Sequence, residues 1–343
     1  MRTSALTPDA RFAITERVAR GDTNPGAWVA ESFHVSRRTA TLWLSKLSAD
    51  GQLSASGRTR KSYVLGATLK LEFFVPLAKV DEHQLWVEKI EPFVGNLPPN
   101  VRGICHHGFT EMVNNAHDHS GGQQLWVRLD LTEERVRLVI DDDGVGIFKK
   151  IQTALDLPDP RLSLLELAKG KFTTDPKNHS GEGIFFTSRM FDDFAIIADG
   201  LIFSHQDGKK FDFLFESELA MKGTMVAMEM DRQSTRKSND VFLQFAPPDE
   251  LSFDRTIVPM RMARIGDENL VSRSQAKRVI QRFDRFKYVD LDFTGVASIG
   301  QAFADEIFRV YARDHPQVNL SCSHATPEIQ QMVVRARTTN TDT

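Results

Sequence analysis

Glu111 and Asn115 stand four residues apart in the run GICHHGFTEMVNNAHDHS, which sets a carboxylate and an amide oxygen on one helix face. A carboxylate there can act as a general base if a nucleophile comes within hydrogen-bond reach. The amide is a neutral oxygen ligand of the kind Mg2+ takes beside phosphates and waters. Asp118 and His119 follow one turn later. A second group, Asp141-Asp142-Asp143-Gly144-Val145-Gly146, ends a strand on carboxylates and continues with two glycines. A third, Ser180-Gly181-Glu182-Gly183, opens a helix, where free backbone N–H groups and the helix dipole suit phosphate oxygens. Lys222-Gly223-Thr224 begins a later strand. Taken singly, each group is commonplace: an acid and an amide four apart make a solvated face, and Asp-x-Gly-x-Gly makes a turn.

The surrounding patterning supplies the elements that must position these groups. Leu69–Val75 reads as a strand and Asp81–Val94 as an amphipathic helix closed by Gly95. Pro98-Pro99-Asn100 opens the long helix that carries Glu111 and Asn115. The alternating runs QLWVRLDL and RVRLVIDD are strands joined by a turn at Thr132–Glu134, and the second delivers the aspartates. IFFTSRMF continues a helix after Gly183, and MVAMEM a strand after Thr224.

In this order the groups resemble the Bergerat-fold ATPases, the GHKL set of gyrase, heat-shock chaperone, histidine kinase and mismatch-repair families, over about residues 100–230. The resemblance implies an α/β sandwich ATPase across residues 67–240, with ATP and Mg2+ as cofactors. By the family pattern Asp142 accepts a hydrogen bond from the adenine amino group, which selects ATP over GTP, and Thr224 lies near it. Gly144 and Gly146 let the backbone pass close to the base. Asn115 holds Mg2+, and Asp118 and His119 are local contacts of the nucleotide. The stretch between Ile147 and Ser180 becomes a mobile lid. Lys171, Thr173, Thr174, Ser180, Gly181 and Gly183 then meet the phosphates. Glu111 decides the reaction class: hydrolytic members use it to polarise water, whereas the anti-sigma kinase branch uses it to activate a serine of a partner. His106, His107, His117 and His119 invite a metal site, but no cysteine or glutamate set completes a tetrahedral one. The short span between residues 66 and 100 leaves no room for the helical hairpin that carries a sensor kinase's histidine.

The N-terminal 66 residues differ in charge from the rest. They hold ten Lys/Arg against five acids, a net +5, which leaves −8 for the remainder of a chain whose formal charge is −3. Helices are expected over residues 8–20 and 26–33, and a third, capped by Ser36, in RRTATLWLSKLSADG. Ala40, Leu42, Trp43 and Leu47 are expected to face its core. Two short strands follow around a Gly-Arg-Thr-Arg-Lys tip. This resembles a winged helix-turn-helix, which implies DNA binding by Ser36, Arg37, Arg38, Thr39 and Thr41 at the helix start and by Arg58, Arg60 and Lys61 on the wing. The alternative is a winged helix that meets protein.

Residues 241–335 alternate strand and helix as a small α/β domain. Lys287–Gly300 and the acid-bearing helix after it resemble the STAS fold of anti-sigma-factor antagonists. Those antagonists place a phosphorylatable serine where this chain has Gly300-Gln301-Ala302. Ser298 and Thr294 are shifted from that place, which points to docking of a protein partner or to oligomerisation rather than phosphorylation in cis. Residues 336–343 read as a frayed tail.

The fold class expected is therefore α+β multidomain: winged helix, Bergerat ATPase, STAS-like domain. Two cysteines, no apolar run near 18 residues and no signal-peptide core point to a cytoplasmic protein without membrane contact, and the resemblance implies a bacterial regulator. A homodimer accords with the resemblance, though no heptad pattern requires it. The expected activity is slow Mg-dependent ATP hydrolysis. Its rivals are a protein serine/threonine kinase acting on a partner and a scaffold in which ATP is structural.

Overall fold

The computed structural model describes residues 5–58, 61–173, 180–209, 212–216, 221–246, 252–265 and 268–338. Contacts divide the chain into two compact units, one of Met1–Val145, Phe191–Ile196 and Met221–Lys237, the other of Gly146–Met190, Ile197–Ala220 and Ser238–Thr343.

Three helices open the first unit: α1 (Pro8–Ala19), α2 (Gly26–Ser32) and α3 (Arg37–Ala49). Thr7 caps α1 by accepting from the Ala10 N–H, and Ser36 caps α3 by accepting from the Thr39 N–H. The core of this bundle joins Ile14, Val29, Trp43 and Leu47 to Leu53 and Tyr63. The last two come from the antiparallel hairpin of β1 (Leu53–Ser56) and β2 (Ser62–Leu65). Along α3 the buried positions are Ala40, Trp43, Leu44 and Leu47, the three-and-four spacing of a helical face. Leu42, expected among them, is 51% exposed, and Leu44 takes its place.

Phe12 points away from that bundle core. It packs edge-on against Phe73 and Phe93 of the following elements, at ring-centroid distances of 5.2 and 5.8 Å. Arg20 adds a 3.0 Å bond to the Glu88 carbonyl. The three helices are thus docked on β3 (Leu69–Pro76) and on α4, the helical segment 82–94 whose middle, Trp86–Ile90, is π-helical.

The long helix α5 (Pro99–His119) is followed by β4 (Gln124–Leu131) and β5 (Arg135–Asp142), and it packs against β5. Its buried residues, among them Val101, Ile104, Phe109, Met112 and Ala116, recur every three or four positions. Beyond β5 come α6 (Ile147–Ala154), α7 (Leu162–Lys169), α8 (Gly183–Met190), β6 (Asp193–Ala198), β7 (Leu201–Gln206), β8 (Phe213–Glu216) and β9 (Thr224–Asp231). The main sheet has the order β3-β4-β5-β9-β6-β7-β8. The pairs β3–β4, β4–β5, β5–β9 and β7–β8 are antiparallel. Because β9 inserts beside β5, the start of β9 is brought to the aspartate end of β5.

The last part holds α9 (Ser238–Gln244), β10 (Arg255–Pro259), α10 (Arg273–Ile280), β11 (Tyr288–Asp292), a helical segment α11 over residues 301–314, β12 (Asn319–Ser323) and α12 (Pro327–Thr338). Strands β10, β11 and β12 form a parallel sheet in that order, as the strand–helix alternation expects. The architecture is α+β: a largely antiparallel sheet with helices, and a small C-terminal α/β domain. Among the described residues no helix is long and apolar enough to cross a membrane.

Candidate functional site

In the first unit, α5 lies against β5 and β9, so one helix face looks onto the strand that ends in Asp141 and Asp142. Glu111 and Asn115 are half-buried and four residues apart on α5. The Asn115 side-chain amide nitrogen is buried and has no hydrogen-bond partner. Buried polar atoms are almost always paired, so an unsatisfied amide end marks a place where an outside group completes the bonding. An amide that can turn its oxygen to a hard cation fits Mg2+ beside phosphate oxygens. Asp118 is exposed one turn on, 2.7 Å from His117 Nδ1, and His119 is half-buried. His106, a candidate for a metal set, has its ring edge-on to Trp86 at 5.0 Å, an aromatic packing contact.

Three consecutive aspartates meet three different fates. Asp142 is buried, and its Oδ1 accepts from the Gly144 N–H at 2.9 Å. Asp143 turns its Oδ1 onto the backbone N–H groups of Gln124 and Gln123, and these bonds hold its carboxyl below the usual range. Asp141 is pushed up to about 6, first by burial and then by the charges of Asp142 and Asp143. Its Oδ1 is buried without a partner.

The glycines here are demanded by close packing. A Cβ on Gly144 would lie 2.3 Å from the Ser120 carbonyl oxygen at the end of α5. Gly223 has φ +83°, and a Cβ there would fall 1.8 Å from the Asp142 carbonyl oxygen and 2.8 Å from its Oδ1. Gly223 therefore lets the chain entering β9 lie directly on Asp142, with half-buried Thr224 next in line. Sequence reasoning places Thr224 here through a family pattern, whereas the neighbouring glycine does the physical work.

In the second unit, a Cβ on Gly146 would meet the Asp199 carboxylate at 2.2 Å. That carboxylate accepts the Lys149 N–H at 2.9 Å in the first turn of α6, where a negative charge suits the free N–H groups. Asp199 is a residue that sequence reasoning missed. Its signal is the Asp-Gly dipeptide between two apolar alternating runs, with φ +52° at Asp199.

The stretch read as a lid contains two packed helices. Every residue of α7 is buried, including Glu166 and Lys169. Lys171, expected at the phosphates, bonds Asp254 Oδ1 at 3.2 Å and the Arg285 carbonyl at 3.1 Å. Thr173 is half-buried and Ser180 exposed, and Thr174 lies outside the described residues. Gly181 and Gly183 are half-buried, and Gly183 begins α8 as expected.

On the N-terminal helices Ser36, Arg37, Arg38 and Thr41 are exposed and Thr39 is half-buried. Ser36 caps α3, and the Thr41 hydroxyl donates to the Arg37 carbonyl at 2.9 Å. Arg58 and Lys61 are exposed beside the hairpin, while Arg60 lies outside the described residues.

Residues 101–210 match the family described as histidine kinase-, DNA gyrase B-, and HSP90-like ATPase. Residues 275–330 match a STAS-like domain of unknown function. No curated protein matches the chain. The first match runs from within α5 to just past the end of β7 and includes Gly144, Gly146, Gly181 and Gly183, and the second runs from within α10 to the start of α12. The chain thus carries a GHKL-type ATPase domain, which supports ATP binding, followed by a STAS-like domain.

Proposed function

We propose that this protein is an ATP-dependent regulator that hydrolyses Mg·ATP slowly and couples its nucleotide state to DNA and to a partner protein. The observation that supports it most is the inner face of α5, where half-buried Glu111 stands one turn from the unsatisfied amide of Asn115. Asn115 would hold Mg2+, which neutralises charge on the phosphates when bound. Glu111 accepts the proton of the attacking water, and the bond to the leaving oxygen of ADP breaks. Asp142, kept buried and oriented by the Gly144 N–H, accepts from the adenine amino group. Guanine offers an acceptor there and would leave two acceptors facing each other, which a buried site rejects strongly.

The DNA part of the reading rests on the basic charge of residues 1–66 and on exposed Arg37 and Arg38 in the first turn of α3. Partner docking is assigned to the STAS-like domain. A titration with Mg·ATP and Mg·GTP tests the nucleotide part. The wild type should bind ATP and discriminate against GTP, and Asp142→Asn should weaken ATP about tenfold to a hundredfold, the worth of a charge-assisted hydrogen bond. Equal affinity for ATP and GTP, or ATP binding unchanged in Asp142→Asn, would remove Asp142 from the base site.

A further inference from the structure

In the first unit the main sheet has one face under α5. A Cβ on Gly108 of α5 would lie 3.0 Å from the Met228 sulfur, so the helix covers Met228 of β9 and its cross-strand partner Leu138 of β5. Asp142, four residues along β5 from Leu138, shares that face, and Asp141 takes the other. On that other face most side chains are matched charges. Arg128 pairs with Asp130 and Arg135 with Asp193, each at 2.7 Å, and Arg135 and Arg137 both reach Glu229. At the aspartate end of β5 the pattern changes. Phe74 of β3 stands opposite Trp126 of β4, Trp126 opposite Asp141, and Asp141 opposite Met225 of β9. Directly opposed residues carry their Cβ atoms about 5 Å apart, so these four make one row.

That row is incomplete. Among the described residues the Asp141 side chain has no hydrogen bond or ion pair, and its Oδ1 is buried. The charges that bear on it, those of Asp142 and Asp143, both repel a carboxylate. Arg128, two positions from Trp126 on β4, is turned to Asp130, and Lys222 acts on Asp143. The half-buried Trp126 ring has no aromatic or cationic partner among the described residues, and Phe74 is 65% exposed. A carboxylate withdrawn from water without a counter-charge is costly, and one guanidinium would supply what both neighbours lack. Its planar fork donates to a carboxylate, its flat cation stacks on an indole, and its apolar stem suits Phe74 and Met225.

We infer that this end of the sheet is a docking surface for a protein partner that lays an arginine side chain against Trp126 and Asp141. Charge complementarity singles out that occupant. An apolar partner would bury Asp141 further with no counter-charge, and an acidic one would meet Asp141 and Asp143 together. A second copy packed symmetrically on the same row would bring two Asp141 carboxylates together. The surface lies wholly within the first unit, on the face opposite Asp142, and the inference stands apart from the ATP reading.

The test titrates the full chain with N-acetyl-arginine amide and with its neutral isostere N-acetyl-citrulline amide, above the pH of about 6 at which Asp141 loses its proton. Binding is read from the NMR signals of the Trp126 indole and the Met225 methyl group. Arginine should move both signals at about millimolar concentration, and citrulline should bind about tenfold or more weakly. Asp141→Asn should lose about tenfold of the arginine affinity and leave citrulline unchanged. Trp126→Leu, read at Met225, should lose about twofold to fivefold, and it stands in if Asp141→Asn fails to fold. Equal binding of the two ligands, signals unmoved by arginine, or arginine affinity unchanged in the variants would overturn the inference. Signals that shift when the protein alone is concentrated would place a second copy on this face and overturn the arginine-bearing partner.

Discussion

Asp141 and Asp142 are neighbours on one strand with opposite surroundings, because successive side chains of β5 leave opposite faces. Asp141 has a raised pKa of about 6 with burial as its first cause. A carboxyl raised above its unfolded value contributes stability that is fully present below about pH 4 and is lost as pH rises through about 6. Thermal denaturation across pH 4 to 7 should therefore show a falling contribution that Asp141→Asn abolishes, leaving a flatter profile. A wild type and variant with parallel profiles would show that Asp141 ionises as an ordinary carboxyl. In the sequence only the family pattern singles out Asp142; the separate states of the three aspartates arise from burial at Asp141 and from the backbone N–H groups that β4 and the following turn present to Asp143 and Asp142. Gly223 is a second case at this scale. Gly223→Ala should be destabilising by about 1–3 kcal/mol, from the positive φ and the collision with Asp142, measured by denaturant unfolding. It should also weaken ATP, since the side chain it displaces is the one assigned to adenine.

Among the elements, α7 explains most of what patterning leaves unread. Its eight residues, LSLLELAK, are buried all round, so no polar face exists to betray a helical period. The run between the two glycine groups consequently reads as lid, while the structure folds much of it into α6 and α7. Strands β6 and β7 are missed for a related reason: the Asp199-Gly200 turn is a hairpin signal, but the apolar runs beside it are short. By contrast α5, β4, β5 and β10–β12 were legible, because their burial alternates with the expected period. On α7 the buried Glu166 carboxylate meets Lys169 at 2.5 Å and Arg282 at 2.7 Å, and this ionic cluster carries its own stability prediction. Glu166→Gln leaves Lys169 and Arg282 buried without their counter-charge and should cost about 3–5 kcal/mol by denaturant unfolding. Replacing all three by Leu, Met and Met should be close to neutral by the same reasoning, and a strongly destabilised triple variant would contradict it.

For the whole molecule, charge is the coarse organiser: +5 over residues 1–66 and −8 over the rest. The basic part is docked on the ATPase module through Phe12, against Phe73 of β3, and β3 pairs with β4, which pairs with β5 and its Asp142. The N-terminal helices and Asp142 are thus connected through one sheet within the first unit, the setting in which the proposed coupling of nucleotide to DNA would operate. Coupling is reciprocal, so Mg·ATP should change DNA affinity and DNA should change ATP affinity by the same factor, about 5-fold to 150-fold where coupling is ordinary. DNA affinity should also fall steeply with salt, and Arg37→Ala with Arg38→Ala should reduce that slope if the arginines contact phosphates. Fluorescence anisotropy of labelled duplex with and without Mg·ATP reads both. DNA binding insensitive to Mg·ATP would separate the two activities.

Hydrolysis with Glu111 as base is tested by phosphate release from Mg·ATP by the purified chain, run beside Glu111→Ala with ATP binding measured on both. Slow release is expected in the wild type and a loss of about 10²- to 10⁴-fold in the variant, the worth of a general base, with ATP still bound. Release that survives Glu111→Ala, or an ATP-bound wild type that releases none, would contradict Glu111 as the base of a hydrolytic site.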